Sequence, residues 1–395
     1  MDERAFLEYI GEIEPVDEKI AERARIRMDQ LAKPQGSLGR LEEIAIKFAS
    51  ITGEIRNYIK KKVVIIMCAD NGVYEEGISP TPQSVTMMQT INFTRRITGV
   101  GALSKVNDTD LCPIDVGING DLPKNIVAEE MQMFLNDKII DRKIRKGTSN
   151  IAKGPAMTRS EAVSAMEIGF EVTRMMQARD YHIIGVGEMG IGNTTTSAAV
   201  LSALTGCNPE KATGRGGGLS DIGLERKKAI VKLASERIRK SVGFEPMENM
   251  EENIKLDNLE NIEPLKVVDI LAEVGGFDIC AMVGVYLGAA KNKLPVVIDG
   301  YISAVAALGA AMICPNVKGY MFASHDSKEN GYRIAIDALE LEPILNLNMR
   351  LGEGSGCVLA FDIIKGALGI MQNMGTYDEA KIDEKYLDLM KDARF

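Results

Sequence analysis

Short, continuous apolar runs that each end in a polar or glycine-rich loop set the strongest constraint on the fold of this chain. The clearest is Val63-Val64-Ile65-Ile66-Met67-Cys68-Ala69, which stops at Asp70-Asn71-Gly72. It lacks the apolar–polar alternation of a half-exposed strand and is rich in β-branched side chains. That is how a strand buried on both faces reads. Similar runs cover residues 111–116, 182–186, 294–298 and 320–323. Helical patterns lie between them. Thr158-Arg159-Ser160-Glu161 has the spacing of a capping box and opens a helix with Ala162, Met166 and Phe170 on one face. Ser220 or Asp221 opens another, with Ile230, Leu233, Ala234 and Ile238 in register. This alternation predicts an α/β fold with a mostly parallel sheet and helices on both faces.

The chain has 395 residues, enough for two or three units of roughly 100–200 residues, or one large α/β domain with an appendage. Residues 1–30 read as helical, and 37–52 make a second helix after Lys33-Pro34-Gln35-Gly36. The pattern is helical again after residue 357. The two ends are therefore expected to pair as a small helical domain (1–60 and 372–395), with a large α/β domain over 61–371. Residues 245–264 hold seven acids, one lysine and four asparagines between two prolines, and read as an acidic surface insertion. Residues 294–314 are the longest apolar stretch. Asp299-Gly300 breaks it, so a strand, a turn and a buried helix are expected, not a membrane span.

Composition excludes some chemistry. The net charge of −9 argues against a nucleic-acid partner. Only His182 and His325 are present, which rules out a multi-histidine metal centre. The six cysteines are far apart with no C-x-x-C pair, the pattern of buried thiols in a reducing compartment. The acidic start of the chain has no apolar h-region, so no signal peptide, no membrane attachment and a cytoplasmic location are expected.

In sheets of this kind ligands bind beyond the carboxyl ends of the strands, and four loops stand out there. Gly185 to Thr196 follows the run containing Ile183 and Ile184 and leads into an alanine-rich helix, with Asn193 or Thr194 as its N-cap. Glycines and a helix N-terminus together suit a phosphate; a glycine-rich tight turn is the plainer reading. Thr213 to Ser220 carries three consecutive glycines and is followed by Arg226-Lys227-Lys228. Lys227 reads equally well as a phosphate partner or a solvated helix residue. In Arg350 to Gly356, glycines enclose Glu353 and let it project into a cleft as a general base. A helix-start acid is the alternative. Ser324-His325-Asp326-Ser327 invites a triad reading, but triad members converge from separate segments. The two hydroxyls read better as phosphate or ribose partners.

These loops, with residues 33–42 and 67–73, the Val85 to Gln89 stretch, Ile114 to Gly117, Gly154 to Met157 and Val274 to Asp278, resemble the nicotinate-nucleotide:dimethylbenzimidazole phosphoribosyltransferase family from about residue 20 to about 375. The resemblance implies a Rossmann-like sheet, a small helical domain from both termini and a homodimer. It implies transfer of ribose 5-phosphate from nicotinate mononucleotide to 5,6-dimethylbenzimidazole or a related base, with no cofactor and no metal. It puts the general base at Glu353. Glu188 matches a second functional glutamate that bonds the ribose or positions the ring. Gly190, Gly192, Asn193, Thr194, Thr195, Lys227, Ser324 and Ser327 match nucleotide or phosphate contacts. Thr81, Gln89 and Met189 fall where the acceptor base is lined. The chain has Asn71 where the family often has histidine, and Tyr301 where phenylalanine is common. Transfer to a different acceptor (adenine, another benzimidazole, a phenol) and a non-catalytic nucleotide-binding relative are the competing readings.

Overall fold

The computed structural model describes residues 1–128, 131, 137–243, 256 and 262–383. Three helices, α1 (Glu3–Gly11), α2 (Glu18–Asp29) and α3 (Arg40–Thr52), precede β1 (Lys62–Ala69). Helices α4 (Ser84–Thr94) and α5 (Gly99–Val106) lead to β2 (Asp110–Gly117), followed by the short strands β3 (Val127–Ala128) and β4 (Ile139–Asp141). Then come α6 (Arg159–Ala178), β5 (Ile183–Met189), α7 (Asn193–Thr205), α8 (Pro209–Ala212), α9 (Asp221–Val242), α10 (Pro264–Val274) and α11 (Phe277–Lys291). The chain continues through β6 (Val296–Ile298), α12 (Tyr301–Ile313), β7 (Met321–Ala323), α13 (Tyr332–Ala338), α14 (Ser355–Asn373) and α15 (Tyr377–Ala380).

The strands form one sheet in the order β3-β4-β2-β1-β5-β6-β7, and every neighbouring pair is parallel. Central β1 is buried along its whole length, which is why its sequence after Lys62 is an unbroken apolar run; Lys62 itself pairs with Asp362 at 2.9 Å. In register, Cys68 of β1 lies beside Met189 of β5, and Ile298 of β6 lies beside Val186 and Ala323. The turns after β1, β5, β6 and β7 therefore open on one edge of the sheet.

The capping box at Thr158 is formed, and Ser220 caps α9 by accepting from the Gly223 N–H. All six cysteines are buried and free. The 294–314 stretch is a strand, a turn and a buried helix, as its Asp299-Gly300 break implies. Helix α14 is apolar and long enough to cross a membrane by composition, but Cys357 and Phe361 on its inner face pack against Gly185 of β5.

Several details differ from the sequence expectation. Residues 1–30 form two helices, parted around Pro15. Strand β5 runs on to Met189, so Gly185 and Gly187 belong to a strand and not to a phosphate loop. A Cβ on Gly185 would come within 2.6 Å of Cys357, and one on Gly187 within 2.5 Å of the Glu353 carbonyl oxygen. These glycines let the start of α14 lie close on the sheet. The N-cap of α7 is Gly192, not Asn193 or Thr194, because the cap has a φ of 97°, a left-handed conformation that glycine adopts without strain. The acidic insertion at 245–264 lies outside the described residues except for Leu256 and residues 262–264. At the chain ends, the Ala32 N–H donates to the Gly375 carbonyl at 2.9 Å, and Leu31 pairs with Thr376. Residues 384–395 lie outside the described part.

Candidate active site

A cleft of about 690 Å³ opens beyond the carboxyl ends of β5, β6 and β7. All four loops singled out in the sequence reach it. The turn after β5 contributes Glu188, Met189, Gly190, Asn193 and Thr194. Gly216 and its neighbours come from the second loop, Ser327 from the fourth, and Glu353 from the third. Thr81 and Gln89 close the cleft from the α4 side. Four expected contacts sit one layer behind the wall: Gly192, Thr195, Lys227 and Ser324.

Glu353 is buried and projects from a turn in which Gly352, Glu353 and Gly354 all have positive φ (85°, 64° and 86°). Its Oε1 accepts from Gln89 Nε2 at 2.8 Å, and its Oε2 from the Val100 N–H at 3.1 Å. Val100 lies in the first turn of α5, so the carboxylate meets the positive end of that helix. The alternative reading of a helix-start acid is thus met in an altered form. Glu353 does not cap α14, whose N-cap is Gly354; it meets the start of a different helix. A carboxylate offers about four lone-pair sites, and two are used here, so acceptor capacity is left for a proton in the cleft.

Glu188 faces the same turn from β5, where a Cβ on Gly352 would come within 2.5 Å of its Oε1. Its Oε2 accepts from Asn193 Nδ2. Burial, aided by the nearby Asp278 and Asp299 carboxyls, pushes its pKa up to about 8. Burial likewise raises Asp278 to about 7. The Gly190 turn is tied to α4 through a relay: the Ile191 N–H donates to Thr86 Oγ1, which donates to Asp70 Oδ1 at 2.6 Å.

Opposite these acids lies an anion cradle. At the α7 N-terminus the Asn193 and Thr195 N–H groups already donate to the Gly190 and Gly192 carbonyls at 3.2 and 2.9 Å, so the helix offers the positive end of its dipole together with the Thr194 hydroxyl. Lys227 is almost fully buried, and its Nζ donates to Thr194 Oγ1 at 2.8 Å. Burial lowers its pKa to about 8. Gly216, with a φ of 51°, allows the second loop to approach, since a Cβ there would lie 2.9 Å from Thr194 Oγ1. A phosphate here would meet the positive end of a helix, hydroxyls and a desolvated ammonium together.

The triad reading of the fourth loop fails on geometry. Asp326 pairs with Arg333 at 2.9 Å, and Ser324 Oγ is 3.1 Å from His325 Nδ1 but also donates to the Asp299 carbonyl. The carboxylate closest to His325 is Asp299, at 3.9 Å. Asp299 and Arg350 are wall residues that the sequence reading missed. Asp299 carries a usable signal, an acid at the end of a buried strand; in the sequence, Asp299-Gly300 marks a break in an apolar run and one of the stretches shared with the family it resembles, with no site role attached to it.

The phosphoribosyltransferase family model matches residues 13–382. The chain is 49% identical over 385 residues to the nicotinate-nucleotide–dimethylbenzimidazole phosphoribosyltransferase of Clostridium perfringens strain ATCC 13124, covering 98% of this chain and 97% of that one. It is 44% identical to the enzyme of the same name from Clostridium tetani, covering 96% of each. Among solved structures it is similar to CobT from Thermus thermophilus, with a TM-score of 0.80 and 36% identity over 92% of this chain and 99% of that one.

Proposed function

The chain belongs to the nicotinate-nucleotide:dimethylbenzimidazole phosphoribosyltransferase family, and from that premise we propose how its cleft carries out the transfer. The enzyme moves ribose 5-phosphate from nicotinate mononucleotide to 5,6-dimethylbenzimidazole, giving the α-riboside 5′-phosphate and nicotinate, a step of cobalamin biosynthesis. In our reading the substrate phosphate lies at the α7 N-terminus beside Thr194, Ser327 and the buried Lys227. The acceptor ring lies between Thr81, Gln89 and Met189. An adaptable methionine suits a flat aromatic ring.

One ring nitrogen of the benzimidazole attacks C1′ from the face opposite nicotinate, and the C1′–N bond to the pyridinium breaks. The anomeric centre inverts, so a β-nucleotide gives an α-product. Nicotinate leaves with the bonding electron pair and needs no acid, because its ring nitrogen was already cationic. The new ring would carry a positive charge, and Glu353 removes it by taking the proton from the other ring nitrogen. Glu188 positions the ribose. Much of the acceleration comes from holding two reactants in line.

The observation that carries this reading is the placement of Glu353 and Thr194 on the walls of one cleft, with the buried Lys227 bonded to Thr194 from behind. Glu353→Gln tests it. Nicotinate release in the presence of 5,6-dimethylbenzimidazole is expected to fall about 10²–10⁴-fold, the usual contribution of a general base. Unchanged turnover would remove Glu353 from the chemistry. No feature of the cleft favours adenine, another benzimidazole or a phenol as acceptor, and the intact base argues against a non-catalytic relative.

We further propose a homodimer. Ile97 and Leu351 are more than half exposed, and Leu351 lies against Gly99 beside the base, an apolar face that a second copy would cover. Residues 1–60 and 372–395 would act as one small helical domain beside the catalytic domain of 61–371, on the strength of the Ala32–Gly375 and Leu31–Thr376 pairing. Six free buried thiols support a cytoplasmic location.

A further inference from the structure

Asp299 follows the last residue of β6 and is buried at the base of the cleft. Its Oδ2 accepts from the Gly354 N–H at 2.9 Å, and its Oδ1 from the Gly356 N–H at 2.7 Å. The Gly354 amide belongs to the turn that presents Glu353, and the Gly356 amide to the first turn of α14, which follows it directly. The presenting turn runs through three consecutive left-handed residues, and Glu353 is the one among them that is not glycine. A side-chain-bearing residue holds such a conformation only where its surroundings fix it. The anchor is itself fixed. The Asp299 N–H donates to Ser303 Oγ at 3.1 Å, Ser303 Oγ donates to the Val186 carbonyl of β5 at 2.9 Å, and Ser324 Oγ after β7 donates to the Asp299 carbonyl at 3.0 Å. A chain of hydrogen bonds therefore runs from β5 and β7 through Asp299 to the turn.

We propose that Asp299 is the positioning residue of the catalytic base: by bridging the Gly354 and Gly356 N–H groups it fixes the left-handed turn that aims the Glu353 carboxylate into the cleft. The proposal rests on the reading that Glu353 takes the acceptor's proton. The other fixed points of the carboxylate, Gln89 and the Val100 N–H, act on its oxygens from α4 and α5. Asp299 acts on the backbone that carries it. Those donors only meet the carboxylate correctly if the turn is already in place.

The plainer alternative is that Asp299 merely caps the start of α14, and the experiment separates the two. Asp299→Asn keeps the shape of the side chain but turns one acceptor oxygen into an amino group facing an N–H donor. If Asp299 positions the base, the single-turnover rate falls about 10–100-fold, the penalty of an ångström-scale misplacement. The KM values for nicotinate mononucleotide and 5,6-dimethylbenzimidazole stay within about threefold, because Asp299, although on the cleft wall, has both carboxylate oxygens taken up by the Gly354 and Gly356 N–H groups. In a Glu353→Gln background Asp299→Asn then costs little more, since there is no base left to misplace. A loss confined to KM, or a full further loss in the Glu353→Gln background, overturns the proposal. If Glu353→Gln alone leaves the rate unchanged, the base assignment is what has failed, and that outcome is distinct. Amide hydrogen exchange of the unaltered enzyme supplies a test that does not depend on any variant folding. The Gly354 and Gly356 amides are expected to be protected, and free exchange at both would overturn the bridge.

Discussion

Glu188 shows how a single side chain couples the cleft to stability. It is buried among Asp278, Asp299 and Glu353, and no lysine or arginine lies within salt-bridge distance of it among the described residues. Its pKa of about 8 is set mainly by desolvation, against an ordinary value of 4.5. Between those pH values the folded protein keeps this proton while the unfolded chain releases it. The native state then binds more protons than the unfolded one, so stability contributed at this site falls as pH rises from about 4.5 towards about 8. Glu188→Gln carries no such proton. Its stability relative to the unaltered enzyme is expected to increase steadily between about pH 5 and about pH 8, by at most about 1.4 kcal/mol per pH unit. Urea unfolding at the two ends of that range measures it. A difference that does not change with pH would mean that Glu188 is ionised in the folded state. Asp278 is shifted in the same direction and is present in both proteins, so only its coupling to Glu188 enters the difference. A protonated Glu188 also has a donor to offer the ribose, which a carboxylate lacks.

At the scale of elements, α6 and α11 pack backbone to backbone. Gly169 of α6 meets Gly284 of α11 so closely that a Cβ on Gly169 would fall onto the backbone at Gly284 and Val285. A Cβ on Gly288, one turn along, would strike Thr173 Oγ1. Both helices are almost wholly buried where they cross, and α11 covers β1, β2 and β5. Ala is ordinarily the better helix former, so a substitution judged on propensity alone would be stabilising. Here the backbone contact decides the sign. Gly169→Ala is expected to destabilise by about 1–3 kcal/mol or more through overpacking, read as a lower denaturant midpoint. The rate at a temperature where the variant is folded should stay near that of the unaltered enzyme, because neither glycine lines the cleft. A midpoint at or above the original would show that the helices can part without cost.

Across the whole molecule, legibility in the sequence followed the physical origin of each feature. The central strands were legible because burial on both faces forces an unbroken apolar run, as at β1. Strands β3 and β4 were not: β6 and β7 are as short, but they end apolar runs that extend beyond the strand itself, whereas Ile139-Ile140 lies directly between Lys138 and Asp141 and β3 is only Val127-Ala128. The glycines at 185 and 187 misled because a glycine needed for helix–sheet contact and one needed for phosphate approach look alike in sequence. Glu353 was legible from its flanking glycines, whereas Asp299 acts through backbone amides more than 50 residues away, which no local pattern records. The chain ends show the same limit. The turn at Lys33 read as a motif, and its purpose emerges only in three dimensions. Lys33 Nζ is buried against Glu42 Oε1 at 2.7 Å, and the Lys33 carbonyl accepts from Tyr377 Oη at 2.6 Å across nearly the full length of the chain. Tyr377 is buried, so this bond closes the two terminal segments away from water. Tyr377→Phe keeps the ring and leaves the carbonyl without that donor. The expected cost is about 1–3 kcal/mol, the penalty of an unmet buried acceptor, seen as a lower thermal midpoint. Turnover should be unaffected, because the pair is not part of the cleft wall. A fall in turnover with no loss of stability would instead mean that the terminal unit communicates with the active site.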